Sequence, residues 1–183
     1  METDLTKLLN KVDKISENLV SCNGCVKCCG AGIVYTLPEE EERLKKINVP
    51  LINIDGIRYI KRKDDGSCFM LDKQYSRCSI YDDRPLCCHL FPLDIFNRYG
   101  INRLSWGVYD YCPTENVKPI SQKEGQAELD LFTIEIMAHS IEKEMPKRVL
   151  EFLLKEDKVT SEIEILDDGH DRFQVLSPIT IKV

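Results

Sequence analysis

The sequence is short of positive charge. Twenty-five Lys and Arg residues stand against thirty-one Asp and Glu, leaving a formal charge of −6 and a pI near 5.2. A phosphate-binding surface needs a clustered basic excess, so nucleic acid is not an expected partner. The basic run Lys61-Arg62-Lys63 is followed at once by Asp64-Asp65 and reads as a solvated turn. Also missing is any stretch near the roughly 18 apolar residues that a membrane helix requires. The start, Met1-Glu2-Thr3-Asp4, lacks the basic and then apolar regions of a signal peptide. No membrane association is expected, and the expected compartment is the cytoplasm. There is no internal repeat and no low-complexity segment. The lone Gly30-Ala31-Gly32 follows no convincing strand, so it is not read as a nucleotide fingerprint.

What is present is a folded composition, 43% hydrophobic and 31% charged over 183 residues. That length supports one domain with a core, or a compact metal-stapled domain with a helical extension. The nine cysteines are the dominant feature. An odd total in a reducing compartment argues against structural disulfides and for metal binding or redox chemistry.

Leu5, Leu8, Leu9, Val12, Ile15 and Leu19 recur at helical spacing, which predicts an amphipathic helix over residues 1–20. A second helix is expected from Thr36 to about Ile47, with a Thr36/Glu39 capping box and Pro38 in its first turn. The acidic run 39–42 is read as favoured by the dipole at that helix start. Residues 51–81 turn to β-prone runs, Ile57 to Ile60 and Cys78 to Tyr81, broken at Asp55-Gly56 and Asp64-Asp65-Gly66. Two more short strands are expected around 94–96 and 101–106. Leu129, Phe132, Ile136, Met137, Ile141 and Met145 predict a helix over 126–144, stopped by Pro146 ahead of a second helical piece. A β-hairpin around Asp167-Asp168-Gly169 is expected to end the chain. The expected fold is a small α+β domain with short strands and flanking helices. It divides into an N-terminal helix (1–20), a cysteine-rich metal-binding domain (21–115), and a C-terminal helical segment with a hairpin packed on it (116–183).

Cys22, Cys25, Cys28 and Cys29 form C-x2-C-x2-C-C, followed by Cys68, Cys78, Cys87, Cys88 and Cys112. Two residues between cysteines let a tight loop aim both sulfurs at one ion while its amides donate to them. Adjacent Cys28 and Cys29 are harder to place on one mononuclear centre. Eight thiolates would fill two four-cysteine sites, or one cluster and one zinc, and spacing does not settle the pairing. The run also partly echoes the ferredoxin pattern C-x2-C-x2-C-x3-C-P, although position 32 is not cysteine.

Cys22 to Cys29, Gly66-Ser67-Cys68, Cys78-Ser79-Ile80-Tyr81 with Asp82-Asp83-Arg84-Pro85, and Cys88-His89-Leu90-Phe91-Pro92 resemble the CxxCxxCC family. These are zinc- or iron-chelating cysteine-cluster proteins, also called the YkgJ type. The resemblance runs from residue 22 to about 113. It implies Cys22, Cys25, Cys28, Cys29, Cys68, Cys78, Cys88 and Cys112 as metal ligands, with Cys87 as an extra. His89 stands where the family usually has Arg, and its role as ligand, neighbour or packing residue stays open. Arg84 is expected to shape its loop, and its guanidinium is a candidate donor toward a thiolate-rich centre. Flagellin lysine N-methylases look like they use the same cysteine pattern with an iron–sulfur cluster, but they are much longer, so that activity does not carry over.

The first functional expectation is a binding or redox module holding an iron–sulfur cluster of the 4Fe–4S kind, zinc, or one of each, with iron–sulfur favoured. The second is a methylase-like or peptide-modifying enzyme whose cluster organises an active site. The third is a purely structural zinc protein. The sequence names no catalytic residue, and a protein or peptide partner stays open.

Overall fold

The computed structural model describes residues 4–16, 26–31, 33–96, 104–109, 121–123, 126–128, 131–164 and 173–179. Helix α1 (Asp4–Ser16) buries Leu8 and Val12, the centre of the apolar stripe, and carries Asp4 in its first turn and Lys14 in its last, as the helix dipole favours. After α2 (Lys27–Ala31), a three-stranded antiparallel sheet forms from β1 (Tyr35–Thr36), β2 (Leu51–Ile54) and β3 (Ile57–Ile60), in the order β1-β3-β2. Asp55 (φ 48°) and Gly56 (φ 84°) both take left-handed backbone in the β2–β3 turn, the conformation that matches the strand twist. The Asn53 side chain accepts the Gly56 N–H at 2.9 Å.

The helix between β1 and β2 starts later than its sequence suggests. Thr36 belongs to β1, opposite Arg58, and Pro38–Glu40 forms a 3-10 turn that runs into α3 (Glu41–Lys46). The reciprocal box is therefore Leu37/Glu40 and not Thr36/Glu39: the Glu40 carboxylate accepts the Leu37 N–H, and the Glu40 N–H donates to the Leu37 carbonyl. Thr36 is drawn into the sheet because its backbone has a strand partner there.

A two-stranded ribbon, β4 (Leu71–Asp72) with β5 (Arg77–Cys78), leads to a 3-10 turn at Tyr81–Asp83 and then to α4 (Leu86–Leu90). The strand expected over 78–81 thus stops at Cys78. β6 (Leu93–Phe96) pairs with β7 (Ser105–Tyr109), and β8 (Ser121–Lys123) pairs with β9 (Gln126–Glu128). That second ribbon takes residues assigned above to a helix, so α5 begins at Leu131 and runs to Glu144. Pro146 separates it from α6 (Lys147–Glu164).

The turn expected at Asp167-Asp168-Gly169 lies outside the described residues. Residues 162–164 still belong to α6, and β10 (Phe173–Pro178) pairs antiparallel with β7, giving a sheet in the order β10-β7-β6. The pairing is long-range because β7 has a free edge, which a local hairpin would leave unpaired.

The main core joins α1, α4, α5 and α6 to the faces of β3, β6 and β7. Leu86, Leu90, Leu93, Leu104, Trp106, Ile134 and Ile141 are all essentially inaccessible to solvent. Each fully buried Leu or Ile contributes about 1.5–3 kcal/mol. A second, smaller core of Val34, Leu44, Val49, Ile60, Cys68 and Ile80 lies beside Cys29, Cys78, Cys87 and Cys88. The architecture is α+β with small antiparallel sheets. No helix among the described residues is long and apolar enough to cross a membrane.

Candidate metal centre

Four segments carry thiols to the smaller core. In the first, Val26 takes left-handed backbone (φ 53°), and its carbonyl accepts the N–H groups of Cys29 (3.0 Å) and Gly30 (3.1 Å). A β-branched residue in that region costs on the order of 1–3 kcal/mol, which the surrounding turn must offset. The result is α2, a single turn presenting Cys28 and Cys29, both half-buried.

The second segment is the turn before Cys68. Gly66 (φ 78°) supplies the left-handed residue, and the Asp65 carboxylate accepts from the Ser67 N–H (3.0 Å) and hydroxyl (2.6 Å). Cys68 is buried, and its N–H donates to the Cys29 carbonyl at 2.7 Å, fastening the two segments together. The third is β5, where Cys78 lies opposite Leu71. The fourth is α4, with Cys87 and Cys88 in its first turn.

The thiols interact with one another. Cys28, Cys29 and Cys78 perturb one another's ionisation. Their interaction holds Cys28 down at about 7 and Cys78 at about 6, while Cys29 keeps its proton and is shifted strongly upward. The Arg84 charge also favours the Cys78 thiolate. Burial pushes Cys68 up to about 11, helped by the charges of Cys88, Cys78 and Cys28. Five thiols from four segments therefore share one electrostatic neighbourhood. Such a set repels itself when ionised and suits a soft cation. Among the described residues no three Cys, His, Asp or Glu side chains close into a ready cage.

Cys87 turns to a different environment. Its thiol donates to the Tyr35 carbonyl at 3.2 Å, and burial pushes it well above the ordinary thiol range, although it also meets Cys88. Nearby are the Tyr35 hydroxyl, buried without a hydrogen-bond partner among the described residues, and Asp94, which burial lifts to about 6.

His89 is buried, with Nδ1 on the Asp13 carboxylate (2.5 Å) and Nε2 on the Arg84 carbonyl (2.9 Å). Neither nitrogen faces the thiols, so His89 docks α1 onto α4 and is not a ligand in this arrangement. Arg84 donates to Asp13 (2.9 Å) and to the Tyr81 carbonyl (2.8 Å), and stacks over the Tyr81 ring at 4.2 Å. Its influence on the thiols is through charge and not a direct hydrogen bond.

Of the cysteines expected as ligands, Cys29, Cys68, Cys78 and Cys88 border one small core and Cys28 adjoins Cys29 on α2. Cys22, Cys25 and Cys112 lie outside the described residues. Sequence reasoning missed Glu40 and Arg43, which hold the turn ahead of α4. Their partners are backbone groups 40 to 46 residues further on, which no local pattern marks.

The model of the CxxCxxCC family, described as "Putative zinc- or iron-chelating domain", matches residues 21–113, just over half of the chain. The chain belongs to the CxxCxxCC family. Every described cysteine lies inside the matched region. Helices α1, α5 and α6 fall outside the CxxCxxCC match and build the main core against it, and strand β10, also outside it, pairs with β7. No curated protein and no solved structure matches the chain.

Proposed function

We propose that this protein holds an iron–sulfur cluster, zinc, or one of each through the thiolates of Cys22, Cys25, Cys28, Cys29, Cys68, Cys78, Cys88 and Cys112, and works as a binding or electron-transfer module. The observation that supports the reading is that Cys68 lies in one small core with Cys29, Cys78 and Cys88 packed against it, and that Cys28 adjoins Cys29 on α2. Three acidified or proton-sharing sulfurs, Cys28, Cys29 and Cys78, are the donor type that both zinc and iron–sulfur clusters take. An iron–sulfur cluster would supply one-electron transfer, and zinc would supply a structural staple. We favour iron–sulfur because C-x2-C-x2-C with a remote Cys112-Pro113 follows the ferredoxin style of spacing. The chain's own part is to gather the sulfurs, to offset their charge with Arg84, and to shield them behind the smaller core.

Protein made and purified without oxygen is expected to be brown, to contain acid-labile sulfide and to bleach in air. A colourless anaerobic product with stoichiometric zinc and no sulfide would replace the iron–sulfur reading with a zinc one. A product holding neither metal would overturn the proposal.

A further inference from the structure

We infer that Glu40 and Arg43, one helical turn apart, form a positioning clamp that sets where α4 begins and so places Cys88 against the other thiols. This inference rests on the metal-centre reading above and names two residues that sustain it.

Leu86 is the first residue of α4, and its N–H has no partner within the helix. A Ser, Thr, Asp or Asn at the preceding position would normally satisfy such a group. Here that position is Pro85, which has no side-chain acceptor. The acceptor is instead Glu40 Oε1, at 2.8 Å, from 46 residues earlier in the chain. The other oxygen, Oε2, accepts the Leu37 N–H at 2.8 Å, so one carboxylate ties α4 to the segment that follows β1. Glu40 is wholly inaccessible to solvent.

Arg43 grips the same turn from the other side. Its Nη1 donates to the Asp83 carbonyl and lies 3.3 Å from the Asp83 carboxylate, while Nη2 donates to the Arg84 carbonyl at 3.4 Å. Nη2 also sits 3.7 Å from Glu40 Oε1, giving the buried carboxylate a counter-charge. Carbonyls 83 and 84 and amide 86 are thus all held by side chains of one turn. That turn, at the start of α3, packs its Leu44 into the same small core as Cys68.

A five-residue helix has almost no stability of its own, so its start is set by whatever holds its first amides. Cys88 lies two residues beyond the clamped amide. Stabilising α4 alone would need only a conventional capping side chain. The clamp does something further, because it references α4 to the frame that carries Cys68. Its loss should therefore disturb thiol geometry more than it disturbs the fold.

The test uses the full chain, stripped of metal without oxygen and titrated with Co²⁺, whose sulfur charge-transfer and d–d bands report thiolate ligation and its geometry. Wild type is compared with Glu40→Gln, Arg43→Lys and Ile141→Ala, the last a cavity variant in the main core. Arg43→Lys keeps the charge, loses the guanidinium fork and sits at a partly exposed position. Both clamp variants should lose about 10–100-fold in Co²⁺ affinity, as partners that orient ligands typically do, with altered d–d bands. Ile141→Ala should melt earlier and keep the wild-type spectrum and affinity. Wild-type spectrum and affinity in Arg43→Lys and in folded Glu40→Gln would overturn the clamp, as would an equal loss in Ile141→Ala. Absence of any sulfur-to-cobalt band in wild type would instead overturn the metal centre itself, and the clamp with it.

Discussion

Glu40 makes stability depend on pH in a direction opposite to most carboxylates. Burial lifts its carboxyl from an ordinary value of 4.5 to about 7, against the pull of the Leu37 and Leu86 amides and of Arg43. The folded state therefore binds this proton more tightly than the unfolded chain does. The resulting stabilisation is fully present below about pH 4.5 and is lost as pH rises through about 7. An interval of about 2.5 units corresponds to about 3 kcal/mol at 1.36 kcal/mol per unit. Glu40→Gln is neutral at every pH but turns an amide NH2 toward either Leu37 or Leu86, a cost of about 1–3 kcal/mol that does not vary with pH. The difference in unfolding free energy, wild type minus variant, should fall by about 3 kcal/mol between about pH 5 and pH 8. Urea unfolding of both metal-stripped proteins under argon measures it, and the thiol and histidine titrations they share cancel in the difference. A difference that stays flat across that range would refute the reasoning, and one that grows with pH would reverse its sign.

The adjacent cysteines should separate by metal analysis. Cys87→Ser keeps a donor for the Tyr35 carbonyl and should leave metal content unchanged, whereas Cys88→Ser should lower it; equal loss in both would make Cys87 a ligand. Trp106→Ala empties a fully buried site in the main core and should cost about 3–5 kcal/mol, read as a lowered urea midpoint with unchanged metal stoichiometry. Removing metal with a strong chelator should speed amide exchange across residues 61–90, where short strands and turns surround the thiols, and leave α5 and α6 protected. Uniform loss of protection along the chain would contradict that division.

Local signals were the legible ones. The stripe from Leu5 to Ile15 gave α1, Asp55-Gly56 gave the β2–β3 turn, and Pro146 gave the break between α5 and α6. Misreadings occurred where a distant partner decided the outcome. Thr36 looks like a helix cap until Arg58 is known to lie across from it, and residues 173–178 look like half of a hairpin until β7 offers an open edge. The same holds at the site. Cysteine spacing marked the thiols, but the acidic run 39–42 gave no hint that one member reaches Leu86 or that the next Arg holds the turn before it. His89 read as a ligand candidate because its neighbours in sequence are cysteines, whereas its neighbours in space are Asp13 and Arg84.

The pairing of β10 with β7 also orders events during synthesis. β7 keeps one edge open from the time Tyr109 is made until Phe173 follows, 64 residues later. At roughly 5–20 residues per second a ribosome needs about 3–13 s to cover that distance. Through that interval an emerging chain carries reactive sulfurs and an unpaired strand edge together, exposed to oxidants and to other nascent chains. Under the proposed metal-holding function, slower elongation is expected to lower metal loading. Equal metal loading from fast- and slow-translating strains under the same oxygen supply would remove that dependence.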